Sequence, residues 1–127
     1  MKKPNFFIIG APKCGTTSLA AWLKEHQQIY MSTPKEPHHF NTDQRYIMVK
    51  ESSDYDRLFE KANNQHLAVG EASVFYLYSQ EAVPNIENYA ADIKYIVCLR
   101  NPIEMAYSLH EQLIISGYED EQNFEAA

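Results

Sequence analysis

Gly10-Ala11-Pro12-Lys13-Cys14-Gly15-Thr16-Thr17-Ser18-Leu19 is the stretch that decides the fold. Residues 5–9 before it, Asn-Phe-Phe-Ile-Ile, are a short apolar run of the kind that forms a fully buried strand. After it, Leu19, Ala20, Trp22 and Leu23 fall on one face of a helix predicted from about Thr16 to Gln27. Between strand and helix, Gly10 to Gly15 reads as a turn. Glycine lets the backbone bend sharply and aim successive N–H groups into one concavity. A helix starting at Thr16 adds unpaired N–H donors and the positive end of its dipole. With the hydroxyls of Thr16, Thr17 and Ser18, the element builds an anion site.

Working outward, residues 32–45 read as a loop punctuated by Pro34, Pro37, Asn41 and Asp43. A helix is predicted from about Ser53 to Ala62 with Ser52 or Ser53 as its cap. Leu67-Ala68-Val69 is a short strand ending at Gly70-Glu71, and a further helix is predicted near 82–91. Ile93 to Leu99 is the best strand of the second half. Asn101 and Pro102 then have the N-cap and first-turn chemistry of a helix that runs to about Ser116 and stops at Gly117. Strands alternating with helices predict an α/β fold, a three-layer α/β/α arrangement around a central parallel sheet. Ligands of such sheets bind beyond the carboxyl ends of the strands. Gly10–Ser18, Gly70–Tyr76 and Arg100–Ser108 are the three segments expected there.

The two glycines have the G-x-x-x-x-G spacing of a nucleotide P-loop, but the rest departs from it. A Walker A loop places lysine directly after the second glycine. Here Thr16 follows Gly15, and Lys13 lies inside the turn. The Ile93–Leu99 strand runs into Arg100 rather than into an aspartate able to hold Mg²⁺. The site thus has a lysine and hydroxyls without the metal apparatus, which suits transfer of a sulfuryl group. Cys14 does not make this a cysteine-phosphatase loop, because the arginine needed six positions on is Ala20.

Pro12-Lys13-Cys14-Gly15-Thr16-Thr17-Ser18-Leu19 closely resembles the 5′-phosphosulfate loop of sulfotransferases that use 3′-phosphoadenosine-5′-phosphosulfate (PAPS). The resemblance implies a P-loop-like fold and assigns donor binding to Lys13, Cys14, Gly15, Thr16, Thr17 and Ser18. Lys13 would stabilise the leaving group, and the threonines would hold the 5′-phosphate. Arg100-Asn101-Pro102-Ile103-Glu104-Met105-Ala106-Tyr107-Ser108 resembles the family's 3′-phosphate motif, an arginine with a serine eight positions later. Arg100 and Ser108 take those places, and the two motifs occur in the family's order. PAPS is the expected co-substrate and PAP (adenosine 3′,5′-bisphosphate) the expected product, with no metal.

Transfer to an alcohol or amine benefits from a base beside the acceptor. Lys35-Glu36-Pro37-His38-His39-Phe40 resembles the Lys-Glu-x-His-Phe-Phe segment of heparan-type carbohydrate sulfotransferases. It implies Glu36 as base and His38 as a neighbour orienting the acceptor, with His39 departing from the usual Phe. Glu71, in Gly70-Glu71-Ala72-Ser73, resembles the base of N-sulfotransferases and is the second candidate; the bland alternative is a partner for Lys13 or Arg100. The acceptor class is a carbohydrate or small molecule. A PAP-binding fragment without turnover and a P-loop kinase or NTPase are the rival readings.

The 127 residues suffice for one domain with its own core, and the resemblance, from Asn5 to about Ser116, implies the front half of such an enzyme. A net charge of −6 argues against a nucleic-acid or membrane-surface binder, though not against a small anion met by a few aimed donors. Cys14 and Cys98 have no metal-ligand spacing and read as free thiols. The apolar run after Met1-Lys2-Lys3 is too short for a signal peptide, so a cytoplasmic protein is expected. His26, His66 and His110 have no supporting pattern and are expected at the surface.

Overall fold

The computed structural model describes residues 2–117, 120 and 123. Four strands, β1 (Phe6–Gly10), β2 (Ile29–Met31), β3 (Ala68–Ala72) and β4 (Lys94–Val97), form one parallel sheet in the order β2-β3-β1-β4. Helices α1 (Thr16–Lys24), α2 (Ser52–Arg57), α3 (Ala82–Tyr89) and α4 (Pro102–Ser116) and a 3₁₀ helix at Val74–Tyr78 join them. β1 is central, pairing Phe6 with Gly70 on one side and with Lys94 on the other.

Every residue of β1 is buried, which is why the run is apolar without alternation. Its side chains nevertheless divide between two cores. Phe7 and Ile9 pack with Phe40, Tyr55, Phe59, Val69, Tyr76 and Ile86, bringing in α2, α3 and the 3₁₀ helix. Phe6 and Ile8 pack with Ala20, Met31 and Ala72, with Leu19 and Leu23 of α1 at the margin. Helices therefore cover both faces of the sheet, the expected three layers. Gly70 is required by close approach: a Cβ there would lie 2.3 Å from the Phe6 ring.

The structure corrects several local expectations. β2 stands between the expected helix end at Gln27 and the loop at 32–45, where no element was expected. Three residues are too few to show a period, and only pairing with β3 (Tyr30 with Val69) makes them a strand. Helix α1 stops at Lys24 rather than Gln27, and Trp22 leaves its apolar face to stand 68% exposed. Neither Ser52 nor Ser53 caps α2: Glu51 precedes the helix and no side chain caps it. His110 is buried, 8% exposed. Helix α4 matches its prediction, with the Asn101 side chain accepting the Ile103 N–H at 2.9 Å and Gly117 ending it at φ +80°. Cys14 and Cys98 are free thiols.

Candidate functional site

The glycine-rich loop leaves the carboxyl end of β1, and two of its residues have left-handed backbones: Lys13 at φ +60° and Gly15 at φ +80°. Glycine adopts that conformation freely; a lysine pays roughly 1–2 kcal/mol for it. A long-range bond stabilises the bend: Arg100 Nη1 donates to the Lys13 carbonyl at 2.7 Å. Leu19 N–H closes the first turn of α1 on the Gly15 carbonyl at 3.0 Å. No side chain caps α1 and no acidic residue sits in its first turn, so the positive end of the helix faces outward uncompensated.

A cleft of about 540 Å³ opens over this loop. Pro12, Lys13 and Gly15–Ser18 form its floor, Lys35 and Glu36 one wall, and Arg100 and Ser108 another, with Val74 and Phe75 between. Arg100 spans the two phosphate-type segments, since its Nη1 also reaches Ser108 Oγ at 3.4 Å. Its Nη2 lies 3.7 Å from Glu104. Cys14 does not line the cleft: its thiol turns back to the Pro12 carbonyl at 3.4 Å.

Lys35 was given no role by the sequence, yet it links the wall to the floor. Its Nζ is 3.1 Å from Glu36 Oε1 and 3.3 Å from Thr16 Oγ1. The one available signal was its position beside Glu36. Three cations, Lys13, Lys35 and Arg100, thus face the cleft against the carboxylate of Glu36, a local excess of positive charge in a chain of net charge −6. His38 is buried, its ring 5.2 Å from that of Phe75, and burial holds its pKa below the ordinary value although Glu36 opposes the shift. His39 behaves as an aromatic, stacked on Tyr55 at 4.5 Å, with Nδ1 2.7 Å from the Val49 carbonyl.

Glu71 is not brought to the cleft. It is 0% exposed, and its partners are neither Lys13 nor Arg100 but three hydroxyls. Ser73 donates to Oε1 at 2.6 Å; Tyr55 and Tyr76 donate to Oε2 at 2.7 and 2.9 Å. Burial pushes its carboxyl up to about 7, against the pull of these three bonds.

Residues 3–127 match the family model described as a sulfotransferase domain. The chain belongs to the sulfotransferase family. A solved sulfotransferase from Alicyclobacillus acidocaldarius superimposes on 99% of it with a TM-score of 0.90 and 34% identity, and this chain covers 56% of that one. Among curated sulfotransferases, the membrane-associated sulfotransferase kil1 of Dictyostelium discoideum is 32% identical over 83% of this chain and 22% of its own length. Mouse carbohydrate sulfotransferase 15 is 31% identical over 83% of this chain and 26% of its own. The chain thus spans about a quarter of the length of these curated relatives. Among the described residues of this sulfotransferase-family chain, no helix is long and apolar enough to cross a membrane.

Proposed function

We propose that this chain carries the donor site of a sulfotransferase that takes PAPS and passes its sulfuryl group to a hydroxyl or amine of a carbohydrate or small molecule. One observation carries the reading: residues from three segments far apart in sequence (Pro12, Lys13 and Gly15–Ser18; Lys35 and Glu36; Arg100 and Ser108) line one cleft with complementary chemistry. PAPS supplies a sulfuryl group on a phosphate that departs with negative charge. The residues present fit it. The N-terminus of α1, Thr16 and Thr17 suit the 5′-phosphate, and Lys13 places a cation where leaving-group charge gathers. Arg100 and Ser108, already adjacent, suit a second phosphate. Glu36 also lines the cleft, where a carboxylate can accept the acceptor's proton while Lys35 holds it in place. A carbohydrate acceptor is favoured by the relatives, whose names include carbohydrate sulfotransferase 15 and, in human, a bifunctional heparan sulfate N-deacetylase/N-sulfotransferase.

The test is calorimetry with PAP and with ATP, each with and without Mg²⁺. PAP binding that ignores the metal supports the proposal, and Mg²⁺-dependent ATP binding in its place overturns it in favour of a kinase or NTPase. Transfer from labelled PAPS then separates an enzyme from a binding fragment.

A further inference from the structure

The loop that carries Glu36 is backbone under strain. Glu36 has φ +68° and His38 φ +42°, left-handed values that a side-chain-bearing residue rarely adopts and that persist only where surroundings over-determine them. The surroundings here are one buried cluster. Glu36 N–H extends the β3 edge by donating to the Ala72 carbonyl at 2.8 Å. His38 N–H donates to Ser73 Oγ at 3.1 Å, and His39 and Phe40 N–H both donate to Tyr76 Oη at 3.0 and 3.4 Å. Three consecutive amides are thus received by two hydroxyls. A hydroxyl has one proton, and its lone pairs face an incoming N–H only if that proton points elsewhere. Both hydroxyls point theirs at the same group, the Glu71 carboxylate. The third donor to it, Tyr55, stacks its ring on His39.

We propose that Glu71 is a positioning residue: by orienting the Ser73 and Tyr76 hydroxyls it holds the strained backbone of residues 36–40 and so sets where the Glu36 carboxylate stands in the cleft. This rests on the reading of Glu36 as the base. Glu71 is fully buried and does not line the cleft, and its effect passes through the hydroxyls it orients.

Backbone amide hydrogen exchange tests the relay whether or not the chain transfers sulfate. Glu71→Gln, close to isosteric, should speed exchange at His38, His39 and Phe40 about tenfold or more while leaving the β1 amides unchanged. Ser73→Ala should speed His38 alone, and Tyr76→Phe should speed His39 and Phe40 alone. Unchanged exchange at 38–40 in Glu71→Gln, or acceleration spread evenly through the sheet, would overturn the proposal. Where transfer is measurable, Glu71→Gln should lower kcat about tenfold with the donor KM and PAP affinity unaltered, and adding Ser73→Ala should lower it little further. A full loss of turnover with exchange at 38–40 unchanged would make Glu71 the base and refute a positioning role. If wild-type protein binds PAP but transfers nothing, the catalytic reading fails and the exchange pattern alone decides this one.

Discussion

Replacing Glu71 with glutamine should remove a pH dependence of folding stability that the buried carboxyl creates. An ordinary glutamate titrates at 4.5; burial raises this one to about 7 in the folded chain. The folded state therefore binds the proton more tightly than the unfolded state. The stabilisation from that proton is fully present below about pH 4.5 and is lost as pH rises through about 7. Each tenfold difference in proton affinity is about 1.4 kcal/mol, so the interval corresponds to about 3 kcal/mol. His38 acts in the opposite sense: burial lowers its pKa, so its contribution is present above 6.5 and fades as pH falls. Because His38 is common to both proteins, subtracting the variant's curve from the wild type's isolates Glu71. The assay is urea unfolding of both proteins from about pH 4.5 to about pH 8. The wild type should lose about 3 kcal/mol relative to Glu71→Gln across that range. A difference that stays constant with pH would show that the three hydroxyls compensate the burial in full, and would refute the reasoning.

Lys13→Ala should abolish transfer while weakening PAP much less, because backbone N–H groups still face the 5′-phosphate; single-turnover kinetics with calorimetry separates the two effects. Glu36→Gln should lower turnover more than donor affinity, measured in the same pair of assays, since it removes proton acceptance with little change in shape. Ser108→Ala should weaken PAP severalfold and leave adenosine 5′-phosphate unchanged in calorimetric titrations. Arg100→Ala/Ser108→Ala should weaken PAP by at least about tenfold, as loss of a charge-assisted hydrogen bond of roughly 1.5–3 kcal/mol requires. It should also weaken adenosine 5′-phosphate, though less, because Arg100 holds the Lys13 carbonyl.

Much of this protein is legible in the sequence, because it depends on neighbours along the chain. The strand–turn–helix around Gly10–Ser18, the Asn101-Pro102 start and Gly117 end of α4, and the alternation that makes the sheet parallel all follow from local backbone chemistry and apolar runs. The two phosphate-type motifs were readable for the same reason, each being a contiguous segment at a strand end. The tertiary structure decided what local chemistry leaves open. β2 is a strand only because β3 lies beside it, and Lys35 joins the site only because its loop folds back on Thr16. Glu71 shows the difference most plainly. Its place at a strand end is equally suited to a cleft base and to a buried strut. The choice was made by Tyr55, 16 positions earlier, and by Tyr76 and Ser73, whose hydroxyls converge on its carboxylate and offset part of the cost of its burial. Burial and long-range hydrogen bonding are properties of the packed chain, and no pattern of spacing along the sequence contains them.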